Sequence, residues 1–495
     1  MKGFIMKVRS VVLISVISLV FLAGCAAPAS PSNSNLDPDV QYTMDPDQAN
    51  NGETYDESGE STFIDVATTP ISTFSSDVDT ASYSNLRRQV NAGIKPEGVR
   101  IEELVNYFDY DYPAPPPDAT HPFNVVTEVS DCPWNAEHQL AMIGVQATRS
   151  VSTEGNNIVF LLDVSGSMDD ENKLPLLVDS FSLLVDTLDD NDVVSIVTYA
   201  GADKIVADSV PGSDHATLHS ALDGLTAGGS TAGGKGIVTA YDLAEKNFIQ
   251  GGNNRVILAT DGDFNVGLST VDELTGLIEK ERDSGVYISV LGFGMGNLKD
   301  ATMEAIADHG NGNYAYIDTI GEAHKVLVDD FNSTMFVVAQ DLKLQVEFNP
   351  DRVAQYRLIG YDNRRLNNDD FTDDTKDAGD VGAGHSVTAF YELVPASASG
   401  DYFSVAVRYK QPGGDTSTEV RFPVTAQSYS ASASEDFLFA SSVVEFGLIV
   451  IDSDYKADAS LQDVTSRATD GLGDDPDGLR KEFITIVSTY EDRFG

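Results

Sequence analysis

Hydrophobic and polar residues follow different patterns in different parts of the chain. In residues 155–337, short apolar runs such as NIVFLLD, RVILATD and YISVLGF alternate with segments of helical period. Continuous apolar strands that alternate with helices predict an α/β fold, with a doubly wound, mostly parallel sheet covered on both faces. One covering helix is expected where apolar residues recur at helical spacing: Leu174, Leu177, Val178, Phe181, Leu184, Val185 and Leu188.

After about residue 338 the apolar period changes to two. Val387, Ala389, Tyr391 and Leu393 alternate with polar neighbours, as do the runs at 342–348 and 403–409. This alternation predicts an antiparallel sheet with one buried face. Two β-like runs, FNVVTEVS and HQLAMIGVQA, precede residue 150. We infer that they belong to the same antiparallel β-sandwich and that the α/β unit is inserted between its strands or flanked by them.

The start of the chain has the pattern of an export signal. Three basic residues in the first nine are followed by an uncharged apolar stretch at 11–22, which ends in Leu-Ala-Gly-Cys25. Twelve residues are too few to span a bilayer but fit a signal peptide. Small residues directly before a Cys resemble the bacterial lipobox, which implies cleavage before Cys25 and acylation of Cys25, for example with palmitate. The alternative is an ordinary secretory signal with a chance Cys.

The predicted signal and the segments that follow it define the expected organisation of the chain. A lipid-anchored protein would lie in the cell envelope on the exported side, at the outer membrane if the source has one. With Cys25 lipidated, Cys132 has no disulfide partner and is expected to be a small packed side chain. The predicted segments are a signal peptide (1–24), a disordered tether (25–61), an N-terminal segment of helices and β runs (62–150), the α/β domain (151–337), a β domain (338–432) and a C-terminal helical segment (433–495).

Composition and net charge limit the kinds of molecule that the protein can bind. The 495 residues include 78 Asp plus Glu against 31 Lys plus Arg, a formal net charge of −47, while the 41% hydrophobic content is that of a globular protein. Such a polyanion is repelled by phosphate backbones, which excludes nucleic-acid binding. Spontaneous adhesion to anionic lipid is disfavoured for the same reason. Most of the acids are therefore interpreted as a solvated surface adapted to a saline exterior.

Oxygen-bearing side chains follow two of the predicted parallel strands. NIVFLLD ends at Asp163, which is followed by Ser165 and Ser167, and RVILATD ends at Asp261. A Gly-rich loop between them carries Thr231. Ligands bind at the carboxyl ends of strands in open α/β sheets, and these hard oxygen donors suit Mg²⁺ or Mn²⁺ better than zinc. The alternative is that Asp163 and Ser165 only cap the next helix.

These residues in this order resemble the metal-ion-dependent adhesion site (MIDAS) of von Willebrand factor type A domains, which have a Rossmann-like fold. The resemblance implies that Ser165, Ser167 and Thr231 ligate Mg²⁺ directly and that Asp163 and Asp261 hold its waters. A carboxylate of a protein partner, from Asp or Glu, would fill the remaining position. Ser230, beside Thr231, offers the same hydroxyl chemistry.

The resemblance extends over nearly the whole mature chain. FSSDVDTASYSNLRRQVNAG and RIEELVNYFDYDYP before the α/β domain, and YRLIGYDNRRLNNDDF after it, resemble YfbK-type bacterial von Willebrand factor A lipoproteins. The resemblance implies architecture and metal chemistry more than a biological role. The leading interpretation is an exported, lipid-anchored, Mg²⁺-dependent module for adhesion or envelope interaction, and not an enzyme. Two alternatives stay open: an envelope-assembly scaffold in which the metal only braces loops, and a metal-dependent hydrolase. The hydrolase is disfavoured because a general base is missing.

Three other segments match known binding motifs only in part. GSTAGGKG at 229–236 differs from a phosphate-binding P-loop in having Gly236, and the segment before it predicts a helix instead of a strand. DGDFNVGLSTVDE at 261–273 has its Gly one position late for a calcium loop. An acidic loop without the spacing of a known cage is interpreted as solvated, and it contains Asp369, Asp370, Asp373, Asp374, Asp377 and Asp380. The sequence contains no recognisable catalytic constellation.

Overall fold

The computed structural model describes residues 53–55, 59–76, 79–116, 118–149, 154–229, 233–262, 271–296 and 298–495. The strands of this part of the chain are β1 (Ile64–Asp65), β2 (Ile71–Ser75), β3 (Phe123–Asp131), β4 (Gln139–Ala147), β5 (Asn156–Asp163), β6 (Val193–Ala200), β7 (Ala202–Pro211), β8 (Asn253–Thr260), β9 (Tyr287–Phe293), β10 (Tyr314–Ile317), β11 (Val337–Phe348), β12 (Val353–Ile359), β13 (Val381–Gly382), β14 (Ser386–Pro395), β15 (Phe403–Lys410) and β16 (Ser417–Val424).

In the described part of the chain, helices lie before, between and after the strands of the central sheet. They are α1 (Ala81–Ala92), α2 (Ile101–Asn106), α3 (Leu174–Thr187), α4 (His215–Asp223), α5 (Gly233–Lys246), α6 (Val271–Asp283), α7 (Asp300–His309), α8 (Ile320–His324), α9 (Phe331–Met335), α10 (Glu435–Val450), α11 (Leu461–Asp470) and α12 (Leu479–Phe494). A short π-helical stretch at Lys325–Asp329 joins α8 to the chain before α9.

The central α/β unit contains a six-stranded sheet in the order β10-β9-β8-β5-β6-β7. All neighbours in it are parallel except β7, which runs antiparallel to β6. The central strands β5 and β8 are buried along their whole length, as their continuous apolar sequences predict. The prediction of a mostly parallel α/β sheet is confirmed. The edge strand β7 was not predicted, because most of its residues are at least partly exposed and its sequence has no apolar run.

Two antiparallel sheets form a sandwich beside this unit. Their orders are β1-β12-β14-β4-β3 and β13-β11-β15-β16, with β2 paired to β11. β4 pairs with β14, so strands from before and after the α/β unit share one sheet. Rings from the two sheets meet in the core, where Phe348 and Tyr356 stack with centroids 4.2 Å apart. The predicted insertion of the α/β unit between strands of one sandwich is confirmed.

Helices cover the outer face of the first of these sheets. α10 is apolar nearly all round and is buried along most of its length, as expected of a helix with neighbours on every side. Its Phe437 packs against Phe390 of β14, with ring centroids 5.9 Å apart. Phe439 of α10 meets Phe483 of α12, and Leu86 of α1 belongs to the same core. α1, from before the α/β unit, and α10 and α12, from after it, therefore fold together into one helical layer.

The prediction of a disordered tether that reaches residue 61 is wrong at its end. The Glu53 carboxylate accepts hydrogen bonds from the Arg88 guanidinium at 3.0 Å and from the Gly296 N–H at 2.8 Å. The Thr54 N–H donates to the Leu298 carbonyl, and Glu60 forms an ion pair with the buried Arg357. Charged residues here meet buried arginines, a long-range interaction that composition does not reveal. The earlier part of the tether and Cys25 lie outside the described residues.

The remaining observations concern the Cys132 thiol and the lengths of the helices. Cys132 is buried, and burial raises the pKa of its thiol, which agrees with a packed side chain. None of the helices in the described part of the chain is long and apolar enough to cross a bilayer.

Candidate metal centre

The candidate site lies where the direction of strand succession reverses in the parallel sheet. From β5 the chain continues to β6 on one side, and it later returns to β8 on the other side of β5. β5 and β8 are parallel neighbours with Leu162 opposite Ala259, so their carboxyl ends adjoin. Asp163 is the last residue of β5, and Asp261 follows β8 directly. Crevices at such switch points are the usual ligand-binding positions of open α/β sheets.

The turn after β5 brings the predicted oxygen donors together. The Ser165 N–H donates to Asp163 Oδ1 at 2.8 Å, and the hydroxyl oxygens of Ser165 and Ser167 lie 2.9 Å apart. Met168, in the 3₁₀ turn that follows, is fully buried and anchors the turn in the core. The Ser165 side chain makes no capping hydrogen bond to that turn, so the interpretation of Ser165 as a simple helix cap is not supported.

The Gly-rich loop is fastened to the same turn. The Gly228 N–H donates to the Val164 carbonyl at 2.8 Å, and the Gly166 N–H donates to the Gly229 carbonyl at 3.2 Å. Gly229 has a φ of +87°, a left-handed conformation that favours glycine. Thr231 lies outside the described residues, so its assignment stays a prediction. The described loop ends two residues before it, beside the turn that carries Ser165.

Both carboxylates of the site are fully buried. Asp163 and Asp261 have 0% exposure, and the Thr260 hydroxyl donates to Asp163 Oδ2 at 3.2 Å. Burial raises the pKa of Asp163 to about 6; hydrogen bonds from Ser165 oppose the shift and the charge of Asp261 adds to it. The site thus holds negative charge in a place where water solvates it poorly.

A lysine that sequence reasoning missed completes the described part of the site. Lys173 Nζ donates to Asp261 Oδ2 at 3.0 Å, and the Lys173 side chain is only 5% exposed. From the sequence, Lys235 is the basic residue expected beside the site, as a solvated charge, and Lys173 is not predicted there. A signal was present, because Lys173 directly precedes the apolar helix α3, where the positive end of the helix dipole disfavours a cation. Such a position calls for a carboxylate partner.

The donor set fits a hard divalent cation. It offers two hydroxyls and two carboxylates, which suits Mg²⁺ or Mn²⁺ better than zinc. Among the residues that the structure describes, no group of three or more His, Cys, Asp or Glu side chains is placed to hold a metal ion. Ser167 is partly exposed and marks the open side of the site. Asp169, Asp170 and Glu171 are exposed on the same turn and add negative charge near this opening.

The acidic loop and the P-loop-like segment GSTAGGKG lie in surroundings that do not indicate a ligand site. In the acidic loop at 369–380, Asp374 and Asp377 form ion pairs with Arg408 and Arg282, at 2.8 and 2.9 Å. Lys343 Nζ donates to the backbone carbonyl of Asp373 at 2.6 Å. The segment GSTAGGKG follows the helix α4 and its loop instead of a strand, as expected. Among the described residues, neither motif is brought together with side chains that would form a metal or phosphate site.

Family comparisons match successive parts of the chain. Residues 49–142 match the family described as von Willebrand factor, and residues 157–332 match the von Willebrand factor type A domain. Residues 333–404 and 396–492 match the family described as uncharacterized protein YfbK, C-terminal. The three family matches together cover most of residues 62–495, the part of the chain predicted to be folded.

Individual proteins are also similar to parts of the chain. Uncharacterized protein YfbK of Escherichia coli (strain K12) is 41% identical over 451 residues, which cover 85% of this chain and 78% of that protein. Uncharacterized protein sll0103 of Synechocystis sp. is 32% identical over 172 residues, 34% of this chain and 39% of that protein. The solved structure titled von Willebrand factor type A from Catenulispora acidiphila is 16% identical with a TM-score of 0.44, covering 72% of this chain and 88% of that one.

Proposed function

The chain belongs to the YfbK family of proteins with a von Willebrand factor type A domain, and from this premise we propose that it is an exported, lipid-anchored module that binds a protein partner in a Mg²⁺-dependent manner. The type A domain indicates a protein-interaction or adhesion module. Metal dependence, capture of a partner carboxylate and the lipid anchor are the proposed additions. Capture of a carboxylate is proposed because the described residues at the carboxyl-terminal edge of the sheet offer oxygen donors for a cation.

One observation carries the proposal. Asp163, Ser165 and Ser167 lie on one turn, and Asp261, about a hundred residues later, acts electrostatically on Asp163 from the neighbouring strand. Ser165 and Ser167, with Thr231 from the Gly-rich loop, would hold the ion, and Asp163 and Asp261 would orient its waters. The bound ion would supply an open coordination position for an Asp or Glu of the partner.

The surface charge makes the metal essential to such binding. An acidic partner approaching the exposed Asp169, Asp170 and Glu171 meets like charges, and the protein as a whole carries −47. A divalent cation in the site would place a concentrated positive charge at the point of contact, to which a partner carboxylate can bind. We therefore expect partner binding to be lost, and not merely weakened, when the metal is removed.

The proposal is tested with Asp163→Ala. This change should abolish Mg²⁺ binding in calorimetry and the Mg²⁺-dependent capture of partners by crosslinking in native envelopes, while circular dichroism shows a folded protein. Asp169→Ala is the matched control, because it removes an exposed carboxylate from the same turn and should preserve both kinds of binding. Unchanged partner capture in excess EDTA would contradict the proposal.

The scaffold alternative has an observation in its favour. Lys173 already holds Asp261 by an internal ion pair, so the loops at the site have a bracing contact of their own. A scaffold predicts that Mg²⁺ raises the melting temperature while partner capture is the same with Mg²⁺ and with EDTA. The hydrolase alternative would need turnover that is lost in Thr231→Ala.

The anchor is a separate part of the proposal. Acylation of Cys25 would hold the protein at the cell envelope on the exported side, since two or three acyl chains make a firm membrane anchor. Labelled palmitate should enter the wild-type protein in cells and should not enter Cys25→Ser. Equal labelling of both proteins would refute the anchor without affecting the metal site.

A further inference from the structure

The position of Lys173 is unusual for a lysine. It immediately precedes α3, it is buried, and its carbonyl accepts the hydrogen bond of the Leu177 N–H. Both burial and the positive end of a helix dipole disfavour a cation at such a place. The ion pair with Asp261 at 3.0 Å compensates for these costs. The lysine is therefore held in the site by the carboxylate that the metal would also need.

The aliphatic part of the Lys173 side chain packs against a glycine. Gly294, directly after β9, has a φ of +75°, and a Cβ added there would lie 2.4 Å from both Cγ and Cε of Lys173. The aliphatic part of the lysine thus runs against the bare backbone of Gly294. A residue with a side chain at this position would displace the lysine from its route to Asp261. The ammonium reaches the site because Gly294, which directly follows β9, has no side chain to block it.

We propose that Lys173 is a tethered cation that neutralises Asp261 in the metal-free protein and competes with the divalent metal for the site. This inference rests on the proposed function, because it assigns a regulator to the same metal site. A positive charge a few ångströms from a divalent cation weakens the binding of that cation in a poorly solvated site. An ammonium group on a flexible stem can yield its place more readily than a guanidinium held by several hydrogen bonds. Lys173 therefore keeps the empty site folded and sets the metal concentration at which it fills.

The test is a calorimetric titration of MgCl₂ into the full chain and its variants. Lys173→Gln removes the charge but keeps a hydrogen-bond donor, and we expect it to bind Mg²⁺ about tenfold or more tightly than wild type. Its melting temperature in EDTA should be lower than that of wild type, and Mg²⁺ should raise it further than it raises that of wild type. Lys235→Gln is the matched control, since it removes the same charge at an exposed position near the Gly-rich loop, where water and salt screen it.

The outcomes separate this inference from the proposed function. If wild type binds Mg²⁺ and Lys173→Gln binds it equally or more weakly, the role of Lys173 is refuted and the proposed function stands. If wild type does not bind Mg²⁺, the proposed function fails, and a gain of binding in Lys173→Gln still supports the competition. Absence of binding in both proteins refutes both.

A measurement on wild type covers the case in which Lys173→Gln does not fold without metal. Amine acylation of Lys173, followed by peptide mass spectrometry, should be faster in saturating Mg²⁺ than in EDTA, because the metal releases the ammonium from Asp261. The exposed Lys235 serves as the internal reference for reagent activity. An equal or slower rate for Lys173 in Mg²⁺ would overturn the inference.

Discussion

Two buried charged regions of this protein handle their carboxylates in different ways. The arginine seam, formed by Arg87, Arg100 and Arg364 with their acidic partners, joins the N-terminal segment and the β domain to the α/β unit. The switch-point site consists of Asp163, Ser165, Ser167, Asp261 and Lys173. In the seam each arginine meets three carboxylates; Arg100, for example, contacts Glu103, Asp300 at 2.9 Å and Glu304 at 3.3 Å. In the site, the ammonium of Lys173 forms an ion pair with the Asp261 carboxylate at 3.0 Å.

The difference lies in the chemistry of the two cations. A guanidinium is planar and presents five donors in a fixed fork, so it can fix several carboxylates at once and define how two units fit. Arg87 does this with Asp318, Glu322 and Glu482, which belong to the α/β unit and to the C-terminal helix α12. An ammonium is a compact point charge on a flexible stem. The seam is therefore suited to permanent structure and the switch-point site to exchange of one cation for another.

The largest expected effect is the loss of an arginine from the seam. Arg100→Met leaves Glu103, Asp300 and Glu304 buried without the guanidinium, which should lower the free energy of unfolding by about 3–5 kcal/mol. Chemical denaturation measures this loss, which should be the same in Mg²⁺ and in EDTA. Arg421→Met, at an exposed arginine of β16, is the control and should change stability by less than about 0.5 kcal/mol. A loss for Arg100→Met that Mg²⁺ reverses would contradict the separation of the two regions.

An intermediate effect is expected from the ionisation of Asp163 in the metal-free protein. Folding raises its pKa from 3.8 to about 6, so the folded state holds the proton more tightly than the unfolded chain. The free energy of unfolding therefore falls as the pH rises from about 4 to 6 and stays lower above 6. The full effect of this shift is about 3 kcal/mol at 1.36 kcal/mol per pKa unit.

The measurement compares wild type with Asp163→Asn in EDTA. The neutral variant should be more stable than wild type above pH 6, and this advantage should disappear below pH 4. Ser167→Ala, which removes a neighbouring donor that does not titrate, should differ from wild type by a constant amount over the same range. A constant difference for Asp163→Asn as well would show that the carboxyl is not perturbed by burial.

The smallest expected effect concerns the glycine under the Lys173 stem. Gly294→Ala should lower the free energy of unfolding by about 1–3 kcal/mol, because alanine is strained at a positive φ and its Cβ would collide with the lysine. Gly276→Ala is the matched control in α6, where an added Cβ meets nothing within 4 Å. That change should stabilise the helix by up to about 1 kcal/mol. Equal stability of the two variants would mean that the Lys173 side chain is not packed closely against Gly294.

Several features of the fold and site could be read from local sequence. The apolar runs that became β5, β8 and β9 predict a parallel sheet because strands buried on both faces need apolar residues at every position. The turn with Asp163, Ser165 and Ser167 was predicted because its donors are close in sequence and follow a strand end. The switch-point arrangement with Asp261 needed the additional knowledge that carboxyl ends of parallel strands share one edge.

Other features were beyond local sequence. The ion pair between Lys173 and Asp261 joins residues 88 positions apart, and no periodicity records which lysine reaches which carboxylate. The contacts of Glu53 and Glu60 with Arg88 and Arg357 likewise joined part of the predicted tether to the folded core. In each case the partner was one of many charged residues, and the choice depends on which surfaces the fold brings together.

The sequence by itself determined the local periods, the order of the oxygen donors and the membership of a family whose type A domain indicates interaction. Those properties are local, because the burial of a strand or helix face leaves its period in the adjacent residues. The tertiary structure alone decided that β4 pairs with β14 around an inserted domain, and that Lys173 lies against Asp261. Pairings between distant segments are selected by packing of whole elements and by the connections between them, and neither is recorded in any short stretch of sequence.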